Sequence, residues 1–285
     1  MTIAKILCPL RGDDKAESVL AHAAAVAHLH HAHVEVLHCR ARASDMIPYG
    51  VVVPSSFREQ IKAQAREIAD AEEKALVAGF ERLLPELGLT RVDGPPTDAG
   101  ATASWHEEEG RMADVIKPWG RLADLIVVAK PDRDNLGANT LRTALFGCGR
   151  PVMICPDRPG PPAGLGRRIA VAWNGSMEAS RAVALSLGLL RGAEEVIVLD
   201  GGSQHPAVSG QALQRYLSLN GIDAGLQRID AEDEPGEVLL ATAPELGADT
   251  LLMGAYSHSR ERETVFGGAT QHVVDHAEMP VVMVH

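Results

Sequence analysis

A glycine-containing loop near the C-terminus has the composition and position of an anion-binding site. An apolar run at residues 250–253, bounded by Gly254, is typical of a short buried strand. Gly267 and Gly268 follow a polar loop, and a helical pattern begins at Ala269. Glycines at a strand end and a helix start let backbone N–H groups approach an anion, and the helix dipole favours negative charge there. These residues therefore predict a site for a phosphate group.

Five histidines lie close together in the sequence and raise the question of a metal site. They are His28, His30, His31, His33 and His38. Their spacing straddles a predicted helix end and a predicted strand, so the side chains should diverge, and those at the helix C-terminus complement its dipole. His38 and Cys39 end a strand on the side where a pocket is expected, but one histidine and one cysteine do not make a metal site. We predict no metal here.

Two further clusters offer a base or a nucleophile. Residues 105–109, WHEEE, place a histidine among carboxylates; we expect them to end a strand and enter a helix, whose N-terminus acidic groups complement. Residues 257–259, SHS, lack the G-x-S-x-G turn that exposes a serine nucleophile. The charged run at 260–263 is most simply a solvated loop, with Arg260 or Arg262 as alternatives for contacting a phosphate. No catalytic residue is predicted.

The elements that would position this loop occur twice in the chain. Residues 5–7 match 168–170, residues 124–129 match 249–254, and residues 151–155 match 280–284. Three matches in the same order indicate an internal duplication. The first copy is longer between its first and fourth strands, and much of the excess lies in residues 41–84, where a long helix is predicted from Phe57.

Strands and helices alternate within each copy, which predicts an α/β fold of two tandem doubly wound, five-stranded parallel-sheet domains. The expected domains are residues 1–156 and 168–285, joined by a linker at 157–167 that is rich in proline and glycine. Ligands of such sheets bind beyond the carboxyl ends of the strands, at the switch point. In the second copy these ends are residues 173–176 and 254–257.

These motifs together resemble the universal stress protein family. The resemblance rests on a strand followed by the turn Asn174, Gly175, Ser176, Glu178 and Ala179, and on the strands that begin after Asp249 and Pro280. The duplication makes the chain resemble a tandem universal stress protein, with the fold of the adenine nucleotide alpha-hydrolase-like proteins. The glycine spacing is similar to G-x2-G-x9-G, except that Ser257 replaces the second glycine and Gly268 replaces a final serine or threonine, for which Thr270 is a substitute.

The resemblance implies a nucleotide site, since some members bind ATP or another adenine nucleotide while others bind none. In binding members an aspartate after the first strand helps to hold the nucleoside; Arg11 and Asn174 occupy that position here. The first copy also has Ala129 and Asp132 where nucleotide-binding members of the family have glycines, so we expect its nucleotide site to be degenerate. The predicted nucleotide-binding residues, for ATP with Mg or another adenine nucleotide, are Asn174, Gly254, Ser257, Gly267, Gly268, Ala269 and Thr270.

The resemblance also implies partners. Domains of the family pair through their fifth strands, here Val152–Cys155 and Val281–Val284, and a homodimer is expected. Two functions follow as hypotheses: a stress-response regulatory module that senses an adenine nucleotide through its second domain, or a dimeric scaffold that binds no nucleotide and acts on protein partners. ATP hydrolysis is a weaker third, since no P-loop lysine or acidic pair of metal ligands is evident.

Composition limits the remaining classes of function. The 285 residues are 46% hydrophobic with a formal net charge of −11, which predicts a packed globular protein and argues against nucleic-acid binding. No apolar run has the ~20 residues of a membrane span, and the N-terminus lacks a signal peptide, so a soluble, cytoplasmic protein is expected. Four cysteines without a CxxC motif, Cys8, Cys39, Cys148 and Cys155, are expected to be reduced thiols.

Overall fold

The computed structural model describes most of the chain. The described residues are 3–11, 14–40, 42, 55–94, 100–132, 134, 137–158, 160–203, 205–231, 233–255 and 268–285. For residues 55, 56, 58, 62 and 65 only the backbone is described. Two of the predicted binding residues, Ser257 and Gly267, lie outside the described residues.

The N-terminal half alternates strands and helices. Its elements are β1 (Lys5–Leu10), α1 (Ala16–His30), β2 (His33–Arg40), α2 (Ser55–Glu86), β3 (Thr90–Arg91), β4 (Thr102–Glu109), α3 (Met112–Gly120), β5 (Leu125–Ala129), α4 (Ala138–Gly147) and β6 (Val152–Cys155). The two-residue strand β3 is an addition to the five predicted strands, and it pairs with the first residues of β4.

The C-terminal half repeats this order. Its elements are β7 (Arg168–Trp173), α5 (Met177–Leu185), α6 (Leu187–Gly192), β8 (Glu195–Asp200), α7 (Gly210–Leu219), β9 (Ala224–Arg228), α8 (Pro235–Glu245), β10 (Thr250–Gly254), α9 (Gly268–His276) and β11 (Val281–Val284). A single 3-10 turn, Pro206–Val208, precedes α7.

The eleven strands found among the described residues form one sheet, in the order β3-β4-β2-β1-β5-β6-β11-β10-β7-β8-β9. Neighbours are parallel except at the centre, where β6 pairs antiparallel with β11 and Val282 lies opposite Met153. The predicted α/β fold is therefore confirmed, and so is the predicted pairing of the two fifth strands. The chain makes that pair within itself.

Side chains alternate across the sheet and build a core on each face. On one face, Ile6 and Cys8 of β1 pack with α1 and the C-terminal part of α2. On the other face, Leu7 packs with Ile116 of α3 and Leu141 of α4. Helices thus cover both faces, which leaves the strand ends as the open edge where a site can form.

An aspartate immediately before β5 and another immediately before β10 fix where the first strand of each half begins. The carboxylate of Asp124 accepts hydrogen bonds from the backbone N–H groups of Ala4 and Lys5, at 2.8 and 3.0 Å. The carboxylate of Asp249 does the same for residues 166–168, at 2.7 to 3.1 Å. The same contact in both halves explains structurally why this residue is common to the two copies.

The prediction for residues 105–109 was right about the strand and wrong about the helix. They are the last five residues of β4, whose eight residues pair with β2 from His33 to Arg40, but they do not enter a helix, since α3 starts only at Met112. A complete ladder of backbone pairs outweighs the weak preference of acidic residues for a helix start. Glu107 instead lies near Arg40, which also contacts Asp70 and Glu73 of α2.

Two helices have irregular features. The helix after Asn174 is interrupted at Ser186, which is fully buried and separates α5 from α6. Helix α2 starts at Ser55, two residues before the predicted Phe57, and contains Pro85 as its penultimate residue. Among the described residues, no helix is both long and apolar enough to cross a membrane.

Candidate functional site

The C-terminal half contains a cavity of about 330 Å³ beyond the carboxyl ends of β7, β8 and β10. It lies at the switch point, where parallel α/β sheets bind ligands. Four of the seven predicted residues line it: Asn174, Gly254, Ala269 and Thr270. The other described lining residues are Ala172, Trp173, Ser176, Ala179, Leu199, Gly201, Ile229, Ala231, Pro235, Leu239 and Met253. None of these described residues carries a charge.

Asn174 forms the turn between β7 and α5. Its Oδ1 accepts a hydrogen bond from the backbone N–H of Ser176 at 3.0 Å, and the Ser176 hydroxyl accepts one from the N–H of Ala179 at 3.1 Å. Gly175 between them has φ +75°, a conformation that favours glycine. The amide oxygen of Asn174 accepts this one bond and has a second lone pair, and its NH2 group can donate to a ligand.

Gly254 has a packing role at this site. A Cβ built on it would lie 2.5 Å from the backbone nitrogen of Ala179 and 2.5 Å from the carbonyl carbon of Glu178. The N-terminus of α5 therefore packs directly on the end of β10, at a distance that only glycine permits. Gly254 thus positions the turn at Asn174 as well as lining the cavity.

The first turn of α9 supplies the donors at the mouth of the cavity. Gly268 begins the helix, is exposed, and would meet no atom within 4 Å if it carried a Cβ. The backbone N–H groups of a helix's first turn have no partner within the helix and attract anions. Thr270 is buried, with 4% of its surface exposed.

Most of the apolar wall could not be identified from sequence. Trp173 is 7% exposed, and its Nε1–H donates to the carbonyl of Val208 at 2.8 Å. The wall also includes Leu199 of β8, Leu239 of α8 and Ile229, which directly follows β9. Trp173 could be predicted because it lies at the end of a strand. Residues on α8 and after β9 show no local pattern that distinguishes them from ordinary core residues.

Asp200 ends β8 beside the cavity and shapes its rim. Its carboxylate accepts hydrogen bonds from the backbone N–H groups of Gly202 and Gly210, at 3.1 and 3.3 Å. A Cβ on Gly210 would lie 2.6 Å from that carboxylate. Asp200 thus holds the loop from β8 to α7 in place.

The equivalent place in the N-terminal half is filled. The cavity beyond β1 and β5, lined by Leu10, Arg11, Ala129 and Gly137 among others, measures only about 10 Å³. The Arg11 guanidinium lies over Gly137 at the start of α4, so that a Cβ there would be 2.8 Å from a guanidinium nitrogen. A cation thus occupies the helix N-terminus that would otherwise attract a phosphate.

Asp132 was expected to repel a phosphate from this half. Its carboxylate pairs with Lys15, whose Nζ also donates to the carbonyl of Lys130 at 3.0 Å. The negative charge is therefore offset by a neighbouring cation, and the filled volume next to Arg11 is the stronger obstacle to a ligand.

The clustered histidines contact different partners, as their spacing predicted. His28 Nε2 is 2.7 Å from the carbonyl of Leu87, and His33 contacts the hydroxyls of Thr102 and Ser104 at 2.9 Å. His38 is buried and stacks on Trp105, with ring centroids 6.0 Å apart. Among the described residues, no group of three or more His, Cys, Asp or Glu side chains could hold a metal ion.

The cysteines are free thiols, and three of the four are buried. Burial raises the pKa of Cys39 to about 11, with the carboxylates of Glu108 and Asp114 adding to the effect. Burial also raises the pKa of Cys148 to about 11, and it raises the pKa of Cys8 and Cys155 well above the ordinary value. These thiols are therefore poor nucleophiles near neutral pH.

Comparison with known proteins gives a partial family assignment. Residues 191–285 match the Universal stress protein family. The match covers the segment from α6 to β11, which includes α9 and β10 but not β7 and Asn174. No curated protein gives a significant match.

Solved structures resemble the whole chain in fold. A universal stress protein from Archaeoglobus fulgidus DSM 4304 has a TM-score of 0.66 at 15% identity, covering 98% of this chain and 97% of that chain. A functionally unknown protein from Pseudomonas aeruginosa PAO1 has a TM-score of 0.56 at 15% identity, covering 99% and 92%. Identities this low establish the shared fold alone.

Proposed function

We propose that this protein is a regulatory binding module of the universal stress protein type, which holds one adenine nucleotide in its C-terminal half. The observation that carries this is the contrast between the two halves. A cavity of about 330 Å³ lies at the switch point of the second half, and the corresponding volume in the first half is about 10 Å³. The larger value lies within the ~300–1,000 Å³ usual for small-ligand sites.

The chemistry of the cavity suits a nucleotide. Its wall is largely apolar, with Leu199 from β8, Leu239 from α8 and Ile229 from the residue after β9. Such a wall would cover a planar base. The NH2 group of Asn174 would donate to the nucleoside. The N-terminus of α9, with Gly268 and Ala269, would receive the phosphates, whose charge is then met by backbone N–H groups. Mg would enter with ATP, bound mainly through the phosphates.

A scaffold that binds no nucleotide is the second candidate, and one observation favours it. Asn174 stands where the family resemblance leads us to expect an aspartate, and its neutral amide does not supply the negative charge of a carboxylate. In that case the cavity would remain empty of nucleotide, and function would depend on protein partners.

The first test places a negative charge at the phosphate position without weakening the helix. Ala269→Glu adds a carboxylate in the first turn of α9, where an acidic residue stabilises a helix by about 0.3–1 kcal/mol. We expect at least ~10-fold weaker binding of ATP in calorimetric titration, with a smaller effect on adenosine, which has no phosphate. Unchanged ATP affinity in a folded variant would overturn the placement of the phosphates.

The matched control is the same change in the other half. Asn139→Glu lies in the first turn of α4 and is exposed. Because Arg11 fills the space beside that helix start, Asn139→Glu should leave nucleotide affinity unchanged. A loss of affinity in this variant would instead assign the site to the N-terminal half.

A further inference from the structure

The long helix α2 has an N-terminal part that is largely exposed. The 32 residues of the helix span about 48 Å. Its C-terminal part is anchored, with Phe80, Leu83 and Leu84 in the core. From Phe57 to Glu72, every described side chain except Ala69 is exposed, although Arg40 contacts Asp70. This exposure leaves room for another helix to approach.

This exposed part carries an apolar stripe. Phe57, Ile61 and Ile68 are 60%, 38% and 56% exposed, and spacings of four and seven residues put them on one face of the helix. The same face continues with the small residues Ala71 and Ala75, both exposed. An isolated helix segment of this length is only marginally stable in water unless its apolar face is packed against another surface. We therefore expect a partner surface to cover the stripe.

The charges along this part of the helix indicate what the partner is. Residues 55–66 contain three basic residues and one acidic residue, whereas residues 67–73 contain four acidic residues and no basic one. Arg40 pairs with Asp70 and Glu73, which leaves Glu67 and Glu72 to keep the second stretch acidic. A second copy of the helix running in the opposite direction would place each basic stretch beside an acidic one, whereas a parallel copy would place like beside like.

We propose that residues 57–75 of α2 form the self-association surface of this protein, pairing antiparallel with the same helix of a second copy. The two-fold axis passes between positions 64 and 65, so Ile61 lies against the partner's Ile68. Phe57 then lies over the partner's Ala71 and Ala75, where small side chains leave space for its ring. One patch thus serves both subunits, as a two-fold interface requires. This surface is far in sequence from the proposed nucleotide cavity and does not depend on it.

Association of the 285-residue protein tests the proposal. Sedimentation velocity over a range of concentrations should show a dimer, and Ile61→Glu with Ile68→Glu should raise Kd by ~100-fold or more, since buried apolar anchors dominate interfaces. Circular dichroism of the double variant should match that of the parent. Added salt should also weaken the dimer, because part of the attraction is between exposed charges.

A matched control distinguishes association through this surface from nonspecific hydrophobic association. Leu122 and Leu219 are 76% and 88% exposed elsewhere on the molecule. Leu122→Glu with Leu219→Glu removes an equal number of exposed apolar side chains and should leave Kd unchanged. A parent protein that is monomeric at all concentrations, or a dimer that only the control variant disrupts, would overturn the proposal.

Disulfide trapping tests the direction of the pair. Under mild oxidation, an equimolar mixture of Ile61→Cys and Ile68→Cys proteins should cross-link between subunits. Either protein alone should not, because equivalent positions 61 are separated by about 10 Å along the antiparallel helices. Cross-linking of Ile61→Cys alone would indicate a parallel pair, and association with no trapping in any mixture would indicate that a different surface holds the dimer.

Discussion

At the scale of single residues, the two halves differ most at the turn after their first strands. Arg11 places a guanidinium over Gly137 in the N-terminal half, whereas Asn174 forms a compact turn that leaves the cavity open in the C-terminal half. Neither residue is the aspartate that the family resemblance leads us to expect there, but only one of them fills the space beside the strand ends. Side-chain length and direction, more than charge alone, separate the filled half from the open one.

The packing of Gly254 gives a prediction at the same scale. Gly254→Ala should lower the free energy of unfolding by about 2 kcal/mol or more, because its Cβ meets backbone atoms that cannot rotate away. Urea denaturation measures the change. Gly268→Ala is the control, since open space surrounds that position, and it should shift stability by no more than about 0.5 kcal/mol. Equal effects of the two changes would show that β10 and α5 are not in direct contact.

At the scale of elements, repeated hydrophobic runs predicted most strands and their order along the chain. The runs ending at Gly254 and beginning after Pro280 appear as β10 and β11, because a buried parallel strand needs a continuous apolar segment. The cavity wall was less predictable. Ile229 and Leu239 join the site only through the pairing of β9 with β8 and the packing of α8 on one face of the sheet, and no local pattern marks either. Residues 105–109 end a strand, as predicted, but the helix expected to begin there does not, since strand pairing with β2 is a long-range effect that extends the strand through Glu109.

The repeated aspartate contact gives a prediction for the elements. Asp249→Ala removes the acceptor for three backbone N–H groups at the start of β7 and should cost about 2 kcal/mol of stability. Asp124→Ala removes the acceptor for two and should cost less, about 1 kcal/mol. Thermal unfolding of the full chain provides the measurement. As a control, Asp223→Ala, at an exposed position, should leave stability unchanged. If it lowered stability as much as Asp249→Ala does, the hydrogen bonds from Asp249 to the start of β7 would not be the cause of the loss.

At the scale of the whole molecule, the halves are joined by more than the central strand pair. The Nζ of Lys130 donates to the carbonyl of Ala277 at 3.1 Å, and Phe146 meets His285 edge to face with ring centroids 4.6 Å apart. The ring of His30, on α1, lies against Gly192 at the end of α6 and leaves no room for a Cβ there. The domain boundaries at residues 156 and 168 remain predictions, because these contacts make the two halves one continuous core.

His30 makes this junction sensitive to acid. Burial lowers the pKa of His30, and the neighbouring His31 lowers it further. The unfolded chain therefore binds a proton at this site more readily than the native protein does, so stability is lost as pH falls through about 6.5. His30→Gln should show a smaller loss of stability between pH 7 and pH 5.5, measured by urea denaturation at each pH. Some loss should remain, since burial also lowers the pKa of His22. An unchanged pH dependence would mean that His30 is not buried between the halves.

The most direct test of nucleotide binding is its stoichiometry. Freshly purified protein would be denatured and any released small molecule identified by mass spectrometry, and the stripped protein would then be titrated calorimetrically with ATP, ADP and AMP. An open cavity in one half and a filled one in the other predict one nucleotide per chain. Two nucleotides per chain would contradict the filled state of the N-terminal half, and no binding at millimolar nucleotide would eliminate the sensor function and leave the scaffold.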